Sequence, residues 1–173
     1  DHTHKKGELM FSYRFGKMNM NNVANGTKKI DTNSVMSSPN GASNNLGNYM
    51  NAPISMKMNM HMFGGMYAPL DNLTFMIMTS YQEKVMTQQR MPMAGGSRFD
   101  VNSSGFSDTR ISTLINILNN DLTKTHIGTV LSLPTGSIDQ RDTTPASSNT
   151  RLGYSMQNGT GTYDALFFLN NIN

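Results

Sequence analysis

The chain has no cysteine and no tryptophan. Without cysteine, disulfide frameworks, thiolate metal sites and cysteine nucleophiles are excluded, and the absence fits an oxidising compartment where stray thiols are a liability. Charge is scarce too. Lys, Arg, Asp and Glu make up 14% of the 173 residues, the net charge is +3, and the basic runs stop at Lys5-Lys6 and Lys28-Lys29. That excludes an electrostatic footprint for nucleic acid. No apolar run approaches the roughly 20 residues of a membrane helix, so a helical span is excluded. HExxH, GxSxG, P-loop and dinucleotide fingerprints are all missing. Ser, His and Asp occur, but a triad is recognised by geometry rather than by presence. No catalytic residue is assigned, and the chain is read as a protein that is not an enzyme.

What fills the space is Asn, Ser, Thr, Gly and 16 methionines. In "SMKMNMHMFGGMYAPL" (55–70), Met56, Met58, Met60 and Met62 recur at every second position. That is a strand's period, so the four share one face of an extended segment. Six segments alternate in this way: 8–18, 54–68, 73–86, 107–118, 125–133 and 160–170. On the first, Leu9, Phe11, Tyr13 and Phe15 oppose Ser12 and Arg14. The third sets Leu73, Phe75, Ile77, Tyr81 and Val85 against Thr74, Ser80, Gln82 and Lys84. Ile111, Ile115 and Ile117 oppose Asp108, Arg110, Ser112 and Asn116 on the fourth.

The connections decide the class. Polar tracts of about 19–52, 87–106 and 134–158 alternate with two short links, the compact turn "APLDN" and "NNDLTK". Long structureless loops are uncommon in compact domains, whereas short turns at one end and long loops at the other are the rule in outer-membrane barrels. The strands also approach the roughly 9–11 residues of a tilted transmembrane strand. The reading is an all-β protein: an antiparallel, up-and-down transmembrane β-barrel, the whole chain (1–173) being one domain or part of one. Its amino terminus lies on the periplasmic side.

Side assignment follows from cost. A Lys at the bilayer midplane costs about 2–4 kcal/mol on the lipid face. Arg14, Lys57, Asn59, His61, Asp108, Arg110 and Asp164 are therefore expected to line the lumen, with Asp108 and Arg110 pairing with Asp164 or Arg14. Phe11, Tyr13, Met56, Met58, Met60, Met62, Phe75, Ile111 and Phe167 are expected to face lipid. Methionine is also a soft thioether ligand suited to monovalent copper. The metal alternative rests on Met76 and Met78, which share the polar face of the third strand, and on His2 and His4 near the start. Under the main reading there is no cofactor; copper belongs to the alternative. The Asn25, Asn72 and Asn158 triplets match a glycosylation acceptor and are expected to be unmodified in a bacterial outer membrane.

Three strings carry a resemblance: "SDTRISTL" (107–114), "LSLPTGSID" (131–139) and "MQNGTGTYD" (156–164). With the opening "HTHKKGELMFSYRF" and "MHMFGGMYAPLDNLTFMIM", they resemble methionine-rich members of the transporter-like bacterial outer-membrane proteins close to the meta-pathway-of-phenol-degradation group. Ser107 stands where that family often reads Gly. The resemblance implies an outer-membrane β-barrel moving hydrophobic or other small solutes, and it carries no catalytic residues. Single-chain bacterial barrels have eight or more strands, so six are expected to be the amino-terminal part of a larger barrel. The chain, which starts at Asp1, is read as a mature or truncated product. The expected function is passage of small solutes through a bacterial outer membrane, with lipid and other membrane subunits as partners and no nucleic acid. Two alternatives stand beside it: a methionine- and histidine-based copper-binding β protein of the periplasm or surface, and a structural accessory subunit that docks through its methionine face.

Overall fold

The structure is a computed structural model and describes residues 5–39, 47–119 and 124–172. His2 and His4 lie outside the described residues. The chain is all-β and antiparallel. Its strands are β1 (Leu9–Asn21), β2 (Val23–Asn25), β3 (Lys28–Ile30), β4 (Asn51–Leu70), β5 (Leu73–Arg90), β6 (Arg98–Phe106), β7 (Thr109–Asn119), β8 (Lys124–Leu133), β9 (Arg141–Thr144), β10 (Ser147–Arg151) and β11 (Asp164–Ile172). One short helix, α1 (Thr32–Met36), is capped by Asp31, whose carboxylate accepts from the amides of Asn33 and Ser34. No helix among the described residues is long and apolar enough to cross a membrane.

The main sheet runs β1-β4-β5-β7-β8-β11, each strand beside its neighbour in that order, with β1 and β11 as its ends. Among the described residues no closed barrel is formed. β5 pairs β7 through Leu73–Met78 and β6 through Tyr81–Gln89. β6 and β7 thus form one line, interrupted at Ser107 and Asp108. The small sheets β2-β3 and β9-β10 are hairpins in the connections.

All three expected loops change character, and the tract 19–52 holds the β2-β3 hairpin and α1. The tract 87–106 is mostly strand: β5 continues to Arg90, β6 begins at Arg98, and a single 3-10 turn at Pro92–Ala94 joins them. Its Asn, Ser and Gly content hid the pairing, because main-chain hydrogen bonds form a ladder whatever the side chains are. The tract 134–158 holds the β9-β10 hairpin and a 3-10 turn at Tyr154–Met156. It folds back over one side of the sheet, called here the inner face. There Met56, Met86 and Val101 pack against Leu152 and Met156. Met156 and Val101 are the largest fully buried side chains.

Candidate functional site

The two faces of β1, β4 and β5 differ in kind. Register sets them: Arg14 lies opposite Met62, Met18 opposite Met58 and Met20 opposite Met56. Across the next pairing Met56 faces Met86, Met58 faces Lys84, Met60 faces Gln82, Met62 faces Ser80 and Met66 faces Met76. Met10, Met18 and Met20 of β1, Met56, Met58, Met60, Met62 and Met66 of β4, and Met76, Met78 and Met86 of β5 all lie on the inner face. That is eleven of the 16 methionines. The outer positions of the same three strands hold none.

This corrects one expectation. Met56, Met58, Met60 and Met62 do not share a side with Phe11, Tyr13, Phe75, Ile111 and Phe167; they share one with Arg14, Asp108 and Arg110. Lys57, Asn59 and His61 lie on the opposite face, so the expected lumen set is divided between two sides. The reason is strand length. At roughly 3.3 Å per residue, the 20 residues of β4 run about 66 Å, more than twice the roughly 25 Å apolar band of an outer-membrane barrel. Lys57 lies on a strand much longer than that band, and its charge by itself does not fix which face the methionines take.

The outer face changes character along the strands. One row across the sheet reads Phe11, Gly65, Ile77, Ile111, Leu131 and Ala165; another reads Leu73, Ile115, Ile127 and Leu169. Phe11 and Phe167 are each 78% exposed, and Ile77, Ile111, Ile115 and Leu131 are exposed as well. The belt ends in aromatic rings. Tyr13 and Phe63 have ring centroids 5.5 Å apart, Phe15 and His61 5.1 Å, and Tyr81 and Phe106 5.4 Å, while the Tyr13 hydroxyl hydrogen-bonds His61 Nδ1 at 2.8 Å. Two residues further along, the row is Lys17, Asn59, Glu83 and Ser104. The change from apolar to polar is complete within one step of the pleat.

The inner face is organised by Asp108, which is buried at the break between β6 and β7. Its Oδ1 accepts from the Gly136 amide at 2.9 Å; its Oδ2 accepts from the Thr160 amide at 2.7 Å and the Thr160 hydroxyl at 2.8 Å. Asp108 is held by these donors rather than by the expected pairing with Asp164 or Arg14. One carboxylate therefore ties together the three strings 107–114, 131–139 and 156–164. Gly136 and Gly159 cross so closely that a Cβ on Gly159 would sit 2.3 Å from the Gly136 carbonyl oxygen. Lys84 reaches up from β5 and donates to the carbonyls of Gln157, at 2.5 Å, and Ser155, at 3.3 Å. The Gln157 side chain accepts from the Gln140 amide and donates to the Leu152 carbonyl. The strap 134–163 is thus fastened at both ends and in the middle.

Beneath the strap, a cavity of about 280 Å³ is lined by Met60, Met62, Met78, Ser80, Asp108, Arg110 and Asn158, among others. Asn158 is buried, and neither polar atom of its amide has a hydrogen-bond partner. Met76 lines a different cavity of about 70 Å³ with Met66, Ser112 and Phe168. Arg110 and Asp164 lie in one inner row, joined through Ser132. Asn158, Lys84 and Gln157 had no place in the sequence-derived site. The signal for Gln157 and Asn158 was the third string, but only folding brings that string against Lys84 of β5.

No family model, curated protein or solved structure matches this chain.

Proposed function

We propose that this chain forms part of the wall of an outer-membrane β-barrel through which small solutes pass along the inner face. The supporting observation is the outer face: an apolar belt crossing successive strands, closed by aromatic rings and then, one pleat later, by an entirely polar row. From Leu73 to Tyr81, nine residues of β5 cover about 26 Å along the strand at roughly 3.3 Å per residue, within the roughly 9–11 residues that a tilted strand uses to cross a bilayer. In water the same belt would be an exposed patch well beyond what soluble monomers carry. Two short links lie at one end of the strands and the long connections at the other, as barrels arrange them. The strings resembling transporter-like outer-membrane proteins point the same way.

In this reading the short links face the periplasm, and β4, β5 and β6 rise beyond the bilayer on the far side. Closing the wall needs further strands beside β1 and β11, since an unpaired edge in hydrocarbon costs several kcal/mol for each stranded backbone group. The solute path is the inner face, with Arg14, Asp108, Arg110 and Asp164 along it and the strap restricting its width.

The lack of cysteine makes a direct test simple. Single-cysteine variants Ile77→Cys and Ile111→Cys, labelled with an environment-sensitive fluorophore and reconstituted in vesicles, should be quenched by brominated acyl chains. Lys57→Cys and Asn59→Cys should not. Equal quenching at all four positions, or a compact monomer in buffer without detergent, would end the barrel proposal.

A further inference from the structure

Just beyond the aromatic rings, the outer face carries a concavity of about 530 Å³. Phe15, His61, Tyr81 and Phe106 stand in one row across β1, β4, β5 and β6. The next outer row is Lys17, Asn59, Glu83 and Ser104, and the one after it includes Lys57, Val85 and Asn102. These two rows line the concavity, and Gln140 and Arg141 close it at the edge of β6. β9 lies beside that edge, where the Asp142 carboxylate accepts from the Asn102 amide at 2.7 Å. Lys84 belongs to the lining as well, but its ammonium is bound on the inner side by the carbonyls of Gln157 and Ser155.

We propose that this concavity binds the phosphate monoester of a lipid headgroup, held between the ammonium groups of Lys17 and Lys57. This rests on the barrel reading, which sets the aromatic row at the membrane boundary and the concavity one pleat above it. Aromatic rings gather at headgroup level, and surface cations are drawn to anionic headgroups within a Debye length. Lys17 lies opposite Asn59, and Lys57 is two residues along β4, so the two lysines are diagonal neighbours. Across a diagonal of about 7–8 Å, two long side chains can converge on one group between them. Both are exposed, and neither has a hydrogen bond or ion pair among the described residues. Two free ammonium groups match the nearly double charge of a phosphate monoester better than the single charge of a phosphodiester. Asn59 and Ser104 add neutral donors for its remaining oxygens.

The balance of charge favours an anion. Among the lining residues Glu83 is the one carboxylate, against Lys17, Lys57 and Arg141. Arg141 is already answered by Asp139 at 3.1 Å, so the excess comes from the two lysines. Glu83 is separated from Lys17 by Asn59 and stands diagonal to Lys57 on the β5 side. It pairs with neither, and it weakens the pull on an anion, so its removal should strengthen binding. A lipid phosphate has one advantage over a free one. Its acyl chains lie along the belt of Phe11, Ile77 and Ile111 and hold the headgroup at this height.

The experiment uses the full chain reconstituted in phosphatidylcholine vesicles, with spin-labelled phosphatidate as the probe. The fraction of probe immobilised at the protein surface, read by electron paramagnetic resonance, should exceed that of spin-labelled phosphatidylcholine or phosphatidylglycerol. Lys17→Gln and Lys57→Gln should each lower the preference for phosphatidate about fivefold, and together they should abolish it. Both side chains are exposed, so circular dichroism should stay unchanged. Glu83→Gln should raise the preference. An undiminished preference in the double variant, or equal immobilisation of phosphatidylglycerol, overturns the inference. So does displacement of the probe by inorganic phosphate at matching concentration, which would assign the site to the free ion. No preference for phosphatidate with the outer belt still quenched by brominated lipid overturns this inference alone. An unquenched belt overturns the barrel reading and with it the height at which this site is placed.

Discussion

The outer and inner faces of β1, β4 and β5 are built on the same residues' backbones, yet they behave as two materials. The outer side is banded along the strands, with Phe11, Ile77 and Ile111 in a belt and Lys17, Asn59 and Glu83 above it. The inner side is not banded. Methionine runs from Met66 to Met56 at every second residue except Gly64, past the level where the outer side turns polar. An outer face that changes along the strands is what the proposed layered surrounding would require. An inner face that ignores depth answers to something else: the strap above it and whatever occupies the space between.

The largest effect expected comes from releasing the strap. Asp108→Ala removes the acceptor for two main-chain amides and a hydroxyl, at about 4 kcal/mol for buried donors left unpaired. It should expose Met56, Met86 and Met156 to peroxide oxidation, read by mass spectrometry, while the belt stays in place. Unchanged oxidation would mean that the strap does not guard the inner face. Next comes the belt: Ile111→Lys should cost about 3 kcal/mol if that position meets lipid, whereas Val85→Lys, above the aromatic rings, should cost close to nothing. Equal costs in a denaturant titration in micelles would erase the distinction of depth. A smaller change is expected from Met58→Leu, at less than about 1.5 kcal/mol, and a larger loss would show that the methionines are needed for packing. The smallest effect belongs to the exposed tip of the strap. There the Arg141 hydrogen bond, aided by the charges of Arg141 and Arg151, holds Asp139 below the usual carboxylate pKa. Such a group contributes above its unfolded pKa and loses its contribution as pH falls through the lowered value. Asp139→Asn should therefore flatten the acid limb of a stability profile slightly and leave the rest unchanged.

Much of the wall was legible because strands declare themselves through alternation. All six segments expected from the sequence are strands in the structure, with ends displaced by a few residues, and the inward placement of Met76 and Met78 followed from the parity of β5. The orientation of β4 was not legible. Its two faces carry methionine on one side and Lys57, Asn59 and His61 on the other, and alternation alone does not say which side the strap covers. The length of the strands was hidden as well: β4 and β5 are 20 and 18 residues long, and the extra length lay in Asn- and Gln-rich sequence that carries little strand signal. The site beneath the strap was less legible still. The strings around Asp108, Gly136 and Thr160 were visible as motifs, but nothing in their spacing joins a carboxylate to amides 28 and 52 residues away.

The sequence by itself determined that the chain is antiparallel β, where its main strands run, and which side chains share a face, because a pleated strand alternates with a period that cannot drift. Only the tertiary structure decided which face is covered. It also decided that the methionines gather under a strap, and that one aspartate fastens that strap. Those outcomes depend on register between strands and on a long connection folding back, and cross-strand hydrogen bonding and the capture of a buried carboxylate by distant amides are settled only when the chain closes on itself.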